Sequence, residues 1–348
     1  MRPIAAYTLP HGVRRFRRTL FVYNAKRETT RKETTLMSSL AVLIPVCCGL
    51  LMAAQAPTNA ALSRKLNGLG ATVLTFGVGT VLQIIIVLIF GTGNLALITQ
   101  VPFWQLIGGA YGGYIVLCMT LATPKLGVVL TGALMMFGQV SMGMAIDAFG
   151  WFATTPIPFS PLRLVGCLFV CAGILVMYFD AKGTNTKNLA GQGNAGKSSV
   201  KLVLYAILAL SAGFASAFQS PTNATLAKTV GNFEATLVSC TVAFIIFSIA
   251  FLIKQRGKLI SLKGIPAWQY LPGLYAILGI LGNVIATPIV GVGLVMAGIM
   301  FGQIGGGMVV DTLGWFQSRK IKVSRGRIIA LICIGIGIIC TVIGKTMV

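Results

Sequence analysis

Gln55-Ala56-Pro57-Thr58-Asn59-Ala60 returns as Gln219-Ser220-Pro221-Thr222-Asn223-Ala224, and the constant offset of 164 residues between the copies decides how the chain is organised. Working outward, the same offset links Trp104 to Trp268, Ala122-Thr123-Pro124 to Ala286-Thr287-Pro288, and Arg163 to Arg327. It also links Phe137-Gly138-Gln139, Asp147, Gly150, Trp151 and Phe152 to Phe301-Gly302-Gln303, Asp311, Gly314, Trp315 and Phe316. Chance similarity between apolar segments would match Leu, Val and Ile. It would not hold rare Gln, Asp, Pro and Trp positions in one register over more than a hundred residues. The chain reads as a tandem duplication.

Of the 348 residues, 56% are hydrophobic and 10% charged, with mean hydropathy +0.87. Soluble domains carry about 25% charged residues, so this much apolar surface belongs in a bilayer. Apolar runs recur at 39–57, 71–91, 104–123, 127–147, 162–179, 201–218, 234–254, 270–288, 292–311 and 327–346. Each is long enough to cross a hydrocarbon core about 30 Å thick. Backbone groups in lipid must be satisfied within their own segment, so these runs are read as helices, and the alternation of a membrane barrel is absent. The expected fold is an all-α integral membrane protein of ten transmembrane helices, in two five-helix repeats at 38–180 and 201–348. Five is odd, so the second repeat enters from the opposite side and the repeats are expected to be inverted. The polar, Gly- and Asn-rich stretch 181–200 reads as a flexible linker.

The net charge of +22 does not point to nucleic acid, because the basic residues sit in short clusters between apolar stretches. With the first helix starting outside, the inside loops hold 16 basic residues, from Arg64, Lys65 and Lys125 to Arg325 and Arg327. Only Arg163, Lys228 and Lys345 then lie outside. The positive-inside rule thus favours both ends of the body outside. The basic tail, 1–37, opposes this with nine residues from Arg2 to Lys32 that prefer the cytoplasm. Translation starting at Met37, an Arg-rich presequence, or the reverse topology would each reconcile the two. The eight cysteines lie in apolar segments without metal-site or secreted-disulfide spacing, and the one histidine, His11, is in the tail. No metal, cofactor or Walker-type phosphate loop is expected.

The repeated Gln-x-Pro-Thr-Asn and Phe-Gly-Gln…Asp…Gly-Trp segments resemble the YdcZ-like branch of the drug/metabolite transporter (DMT) superfamily, over about residues 38–346. Its members are five-helix units found singly, as paired genes, or as tandem fusions of opposite orientation; this chain looks like a fused member. The resemblance implies a small multi-pass transporter of the plasma (bacterial inner) membrane and implies no substrate. Small multidrug-resistance proteins carry a membrane-embedded glutamate in their first helix. The first helix of each half here offers Gln55 and Gln219 instead, which argues against cationic drug export through such a carboxylate.

Several residues stand out as candidates. Asp147 and Asp311 are repeat equivalents at the ends of the fourth and ninth expected helices. Charge inside a membrane is costly, so they are read either as conformational or coupling groups, or as structural acids that cap the following Phe-Gly-Trp turn or pair with Arg163 or Arg327. Gly132, Gln139, Gly143, Asp147 and Gly150 share one helical face, repeated by Gln303, Gly307, Asp311 and Gly314. That face is a packing seam between the halves, a cavity lining for Gln139 and Gln303, or both. Gln55 and Asn59 lie one turn apart around Pro57, as do Gln219 and Asn223 around Pro221. A proline frees a helical carbonyl, so these positions suit either a broken helix on a substrate path or a capped helix end. Trp104, Trp151, Trp268 and Trp315 read as interfacial anchors.

The functional expectation is a secondary carrier for a small polar or amphipathic solute, working by alternating access as a monomer or homodimer in the lipid bilayer, with no nucleic-acid partner. A non-transporting scaffold or complex subunit is the alternative. A membrane enzyme is disfavoured, because the body offers no histidine and only Asp147, Asp180, Glu234 and Asp311 as acids.

Overall fold

Long apolar stretches give helices, and no strand occurs among the described residues, which in this computed structural model are 41–126, 128–157, 160–189, 199–255, 262, 264–317 and 323–346. The basic tail lies outside them. The helices are α1 (Leu43–Phe90), α2 (Gly108–Leu126), α3 (Val128–Phe149), α4 (Pro161–Leu189), α5 (Ser199–Val230), α6 (Asn232–Lys254), α7 (Leu271–Val290), α8 (Val292–Leu313) and α9 (Arg325–Thr346). Among the described residues, seven helical stretches are long and apolar enough to cross a membrane, and Leu43–Asn59 and Pro161–Val176 are shorter apolar helices. Leu88, Phe149, Ile253 and Ile339 are among the many large apolar side chains left exposed, a surface that suits lipid.

A straight helix of the 48 residues in α1 would run about 72 Å, more than twice a hydrocarbon core of about 30 Å. It turns at Asn67, with φ 61° and ψ 171°, so 43–66 and 68–90 are separate limbs. Asparagine tolerates positive φ, and Asn67 Oδ1 accepts the Gly70 N–H at 3.0 Å, capping the second limb. The break between α5 and α6 falls at Gly231, the repeat equivalent of Asn67, with φ 107° and ψ 157°. The sequence suggests a longer connection, 58–70; the structure closes it to one residue. Within the continuing helix, Thr58 donates its hydroxyl back to Ala54 O (2.6 Å) and Gln55 O (2.9 Å). At the same end, Lys65 Nζ donates to Gly264 O at 2.6 Å.

Helix also occupies part of the stretch read as a flexible linker: α4 continues to Leu189 and α5 begins at Ser199, with 190–198 outside the described residues. Asparagine and glycine cost a helix at most about 1 kcal/mol each, too little to stop one already nucleated by an apolar span.

The two halves meet through equivalent contacts. Gly49 of α1 lies so close to α8 that a Cβ there would stand 2.1 Å from Ile299 O, and one on Gly302 would stand 2.1 Å from Val46 O. The repeat-equivalent pair reproduces this: a Cβ on Gly213 of α5 would stand 2.2 Å from Met135 O, and one on Gly138 of α3 would stand 2.5 Å from Leu210 O. Helices α4 and α9, themselves equivalents, lie antiparallel, with Gly166 against Gly337 and Gly173 against Ala330 and Ile334. Their ends are tied at equivalent serines. Ser160 Oγ donates to Gly344 O at 3.1 Å, and Ser324 Oγ donates to Asp180 Oδ2. The largest buried apolar cluster centres on α8, through Leu294, Met296, Met300 and Ile304, and draws Ile146 and Val170 from the first half.

Glycine at these crossings is a steric requirement. Gly302→Val forces a side chain into the α1 backbone and is expected to lower the apparent melting temperature in detergent markedly or prevent folding. Gly307→Ala, where a Cβ meets nothing within 4 Å, should leave it unchanged or slightly raised. Fluorescence-detected thermal unfolding of both variants is the check.

Candidate functional site

Asp147, in the last turn of α3, is 1% exposed. Its Oδ1 accepts the Val292 N–H at 2.6 Å and its Oδ2 accepts the Gly293 N–H at 2.9 Å. These are the first two amides of α8, whose N-cap residue, Gly291 (φ 92°), has no side chain to cap them. Arg163 Nη2 stands 3.6 Å from Asp147 Oδ2, and Arg163 is 3% exposed. Arg163 Nη1 donates to Ile157 O at 3.0 Å, and the Ile157 N–H donates to Asp147 O at 2.8 Å. A carboxylate of the first half thus neutralises the positive end of a helix of the second, and a buried cation balances it. The arginine partner is the one the sequence named; the capped turn is not. The Phe-Gly-Trp turn closes on its own backbone, with the Gly150 N–H donating to Ile146 O at 2.9 Å. The α8 amides, which Gly291 has no side chain to cap, have the stronger need of an acid. Asp311 stands near the end of α8, and its side chain lies outside those described.

The two glutamines of the shared face bond across the halves at equivalent places. Gln139 Nε2 donates to Ser216 Oγ on α5 at 3.0 Å, and Gln303 Nε2 approaches Met52 Sδ on α1 at 3.9 Å. Ser216, Gln219 and Asn223 follow one face of α5, as Met52, Gln55 and Asn59 do on α1. The asparagines tie each hairpin to itself: Thr75 Oγ1 donates to Asn59 Oδ1 at 2.9 Å, and Asn223 Nδ2 donates to Ser239 Oγ at 3.2 Å. Gly108 presses on Asn223, where a Cβ would stand 1.8 Å from Oδ1, and Gly112 approaches Gln219 Nε2. Gln55 and Gln219 are half-buried. Pro57 and Pro221 sit inside helices that run through them, and the breaks come later, at Asn67 and Gly231. The remaining backbone hydrogen bonds of a long apolar span hold the helix across one missing donor.

A cavity of about 400 Å³ opens where α3, α5 and α7 end and α8 begins. Its polar lining is Asp147, Thr154, Thr155, Thr225, Lys228 and Thr287, with Pro156, Ile157 and Pro288 as apolar walls. None of the six Gln and Asn candidates lines it. Phe152 and Ala153 border it with φ of 60° and 56°, and Phe316 repeats the conformation at 56°. Left-handed backbone costs a non-glycine residue about 1–2 kcal/mol. Here Thr225 Oγ1 donates to Phe152 O at 2.8 Å, and Lys228 Nζ reaches Ala153 O at 3.5 Å. Trp104 packs its ring on Phe152 (5.9 Å between centroids), as Trp268 does on Phe316 (6.2 Å). Trp151 and Trp315 stay exposed.

Sequence reasoning missed Thr154, Thr225 and Lys228 because it sought identical residues in both halves, and their equivalents are Ser318, Ala61 and Arg64. The signal for Lys228 was present: a basic residue stands at that place in both copies, and it was weighed only for topology.

Removing one member of a buried, hydrogen-bonded ion pair costs about 3–5 kcal/mol. Asp147→Ala and Arg163→Ala are each expected to lose about that much, and the double variant less than the sum. Unfolding of the four proteins in mixed micelles, read as a double-mutant cycle, measures the coupling.

Comparison with known proteins fits this geometry. The family described as "Putative inner membrane exporter, YdcZ" matches the chain twice, at residues 40–176 and 204–340, a displacement of 164. A solved crystal structure of a protein shares the fold at TM-score 0.59 and 18% sequence identity, covering 87% of this chain and 96% of that one. Among curated proteins none matches. The doubled match and the apolar helices make this a multi-pass inner-membrane protein. The chain belongs to this DMT-type YdcZ family of inner-membrane proteins and carries the family's unit twice.

Proposed function

We propose that the chain is a secondary transporter in which two inverted five-helix repeats move a small polar or amphipathic solute by alternating access. Counting the limbs of α1 separately, each repeat supplies five helical segments, and ten crossings follow. The observation that carries the reading is the antiparallel packing of the equivalent helices α4 and α9, with Gly166 on Gly337 and Gly173 on Ala330. Equivalent helices running in opposite directions are what an upside-down copy produces.

Two features support alternating access. The halves interlock by reciprocal contacts, Gly49 with α8 and Gly213 with α3, so a tilt of one half is felt by the other. Asp147 of the first half holds the start of α8 in the second, at one end of the molecule. By position in the repeat, Asp311 is the counterpart of Asp147. A contact that ties one half to the other at one end suits a cycle in which it opens and closes. The hydroxyls and amides near the inter-half contacts, Ser216, Gln139 and Gln219, favour an uncharged or singly charged solute over a multiply charged one.

Arg64→Cys and Lys228→Cys report orientation directly. In intact spheroplasts, a membrane-impermeant maleimide should label one and spare the other, and permeabilisation should expose both. Labelling of both from the same side would overturn the inverted arrangement. A purified protein that moved no solute in proteoliposomes and kept a stoichiometric protein partner would be a scaffold instead.

A further inference from the structure

We infer that the cavity at the ends of α3, α5 and α7 recognises a small organic monocarboxylate, with Lys228 as the cation that meets its carboxylate. This rests on the transporter reading above and names the charge class of the solute.

Three formal charges stand in or beside the cavity. Asp147 is fully engaged: both oxygens accept backbone N–H groups, and Arg163 lies 3.6 Å away. That pair carries no net charge and offers a cation little. Lys228 differs. It lies in the last turn of α5, is exposed, and its ammonium reaches a carbonyl, Ala153 O, at 3.5 Å. No carboxylate pairs with it among the described residues. The cavity therefore holds one positive charge in excess. A site walled partly by Pro156, Ile157 and Pro288 has a lower local dielectric than water, which strengthens attraction for an anion and repulsion of a cation.

The hydroxyls refine the class. Thr154 Oγ1 donates to Trp151 O at 2.9 Å, and Thr225 Oγ1 donates to Phe152 O at 2.8 Å. Their protons are committed to the left-handed turn, so toward the cavity they offer lone pairs. A fitting solute places its carboxylate on Lys228 and its hydroxyl or N–H donors on Thr154 and Thr225. A second carboxylate would find no second free cation among the described lining residues. The volume of about 400 Å³ admits a metabolite-sized molecule and lies near the lower end of ligand pockets.

The test is thermal unfolding of the detergent-purified full chain at constant ionic strength. The probes are glycolate, lactate and gluconate, each against its primary amide, with choline as a cation. At least one acid should raise the melting temperature in a saturable way while its amide and choline do not. Lys228→Ala and Lys228→Gln should abolish the shift or raise the concentration for half-maximal effect about tenfold or more, and Lys228→Arg should keep it. The unliganded melting temperature of each variant reads folding separately. Equal shifts from acid and amide, stabilisation by choline, no shift from any acid, or a shift that survives Lys228→Ala would each overturn the inference. Opposite-side labelling of positions 64 and 228 needs no solute, so it can stand while the charge class falls.

Discussion

Water is absent from the hydrocarbon core, and every polar atom placed there must find its partner in the protein. Several polar residues of the repeat answer that requirement directly. Thr58 returns its hydroxyl to its own helix, Asn59 and Asn223 bond the next limb, and Gln139 reaches Ser216 across the halves. Asp147 is the extreme case, a carboxylate buried where two uncapped amides and a guanidinium stand. The polar residues that mark the repeat are thus largely the ones that close backbone and side-chain accounts at the helix crossings.

The same medium sets how the helices associate. Lipid tails are as apolar as leucine, so helices gain little by hiding leucine from them, and close packing with short-range hydrogen bonds must do the work. Glycine serves that need where backbones touch. Gly49 with Gly302 and Gly138 with Gly213 bring main chains so near that no side chain fits between. Because these pairs exchange residues between equivalent positions, one sequence pattern solves both interfaces, and duplication doubled a contact that already worked. The serines at the starts of α4 and α9 follow the same logic, each reaching the far end of the other helix.

Much of the architecture was legible because duplication wrote it twice. The offset of 164 residues pairs Phe152 with Phe316, which share a left-handed conformation, and the structure adds Asn67 and Gly231, both at positive φ and not singled out in the sequence. What was illegible is what one half does to the other. Nothing near Asp147 in sequence says that its oxygens serve Val292 and Gly293, some 145 residues away. The partner of Glu234 is equally remote in sequence. Glu234 is 2% exposed and accepts the Gly93 N–H at 2.9 Å, holding the segment after α1 against the start of α6. The prolines misled in a different way: their local chemistry is that of a helix breaker, but a span that must keep its backbone bonded in lipid absorbs one missing donor and breaks instead where positive φ is available.

Divergence between the copies is informative where identity is not. Ser216 faces Gln139 where Met52 faces Gln303, and Ser220 meets the Thr287 hydroxyl at 2.5 Å where the first half has Ala56. Thr225 stands against Ala61 and Glu234 against Gly70. The second copy carries hydroxyls along α5 at positions where α1 has none, and one of them, Thr225, lines the cavity. Packing alone gives no reason for this drift, since both interfaces use the same glycine crossings and an alanine at position 220 or 225 would fit a helix as well. A solute that must be met by hydroxyls on one side of its path does give a reason. Once two copies are fused in one chain, each wall can specialise, as two identical subunits cannot, and the polar strip of α5 has the asymmetry that such specialisation leaves.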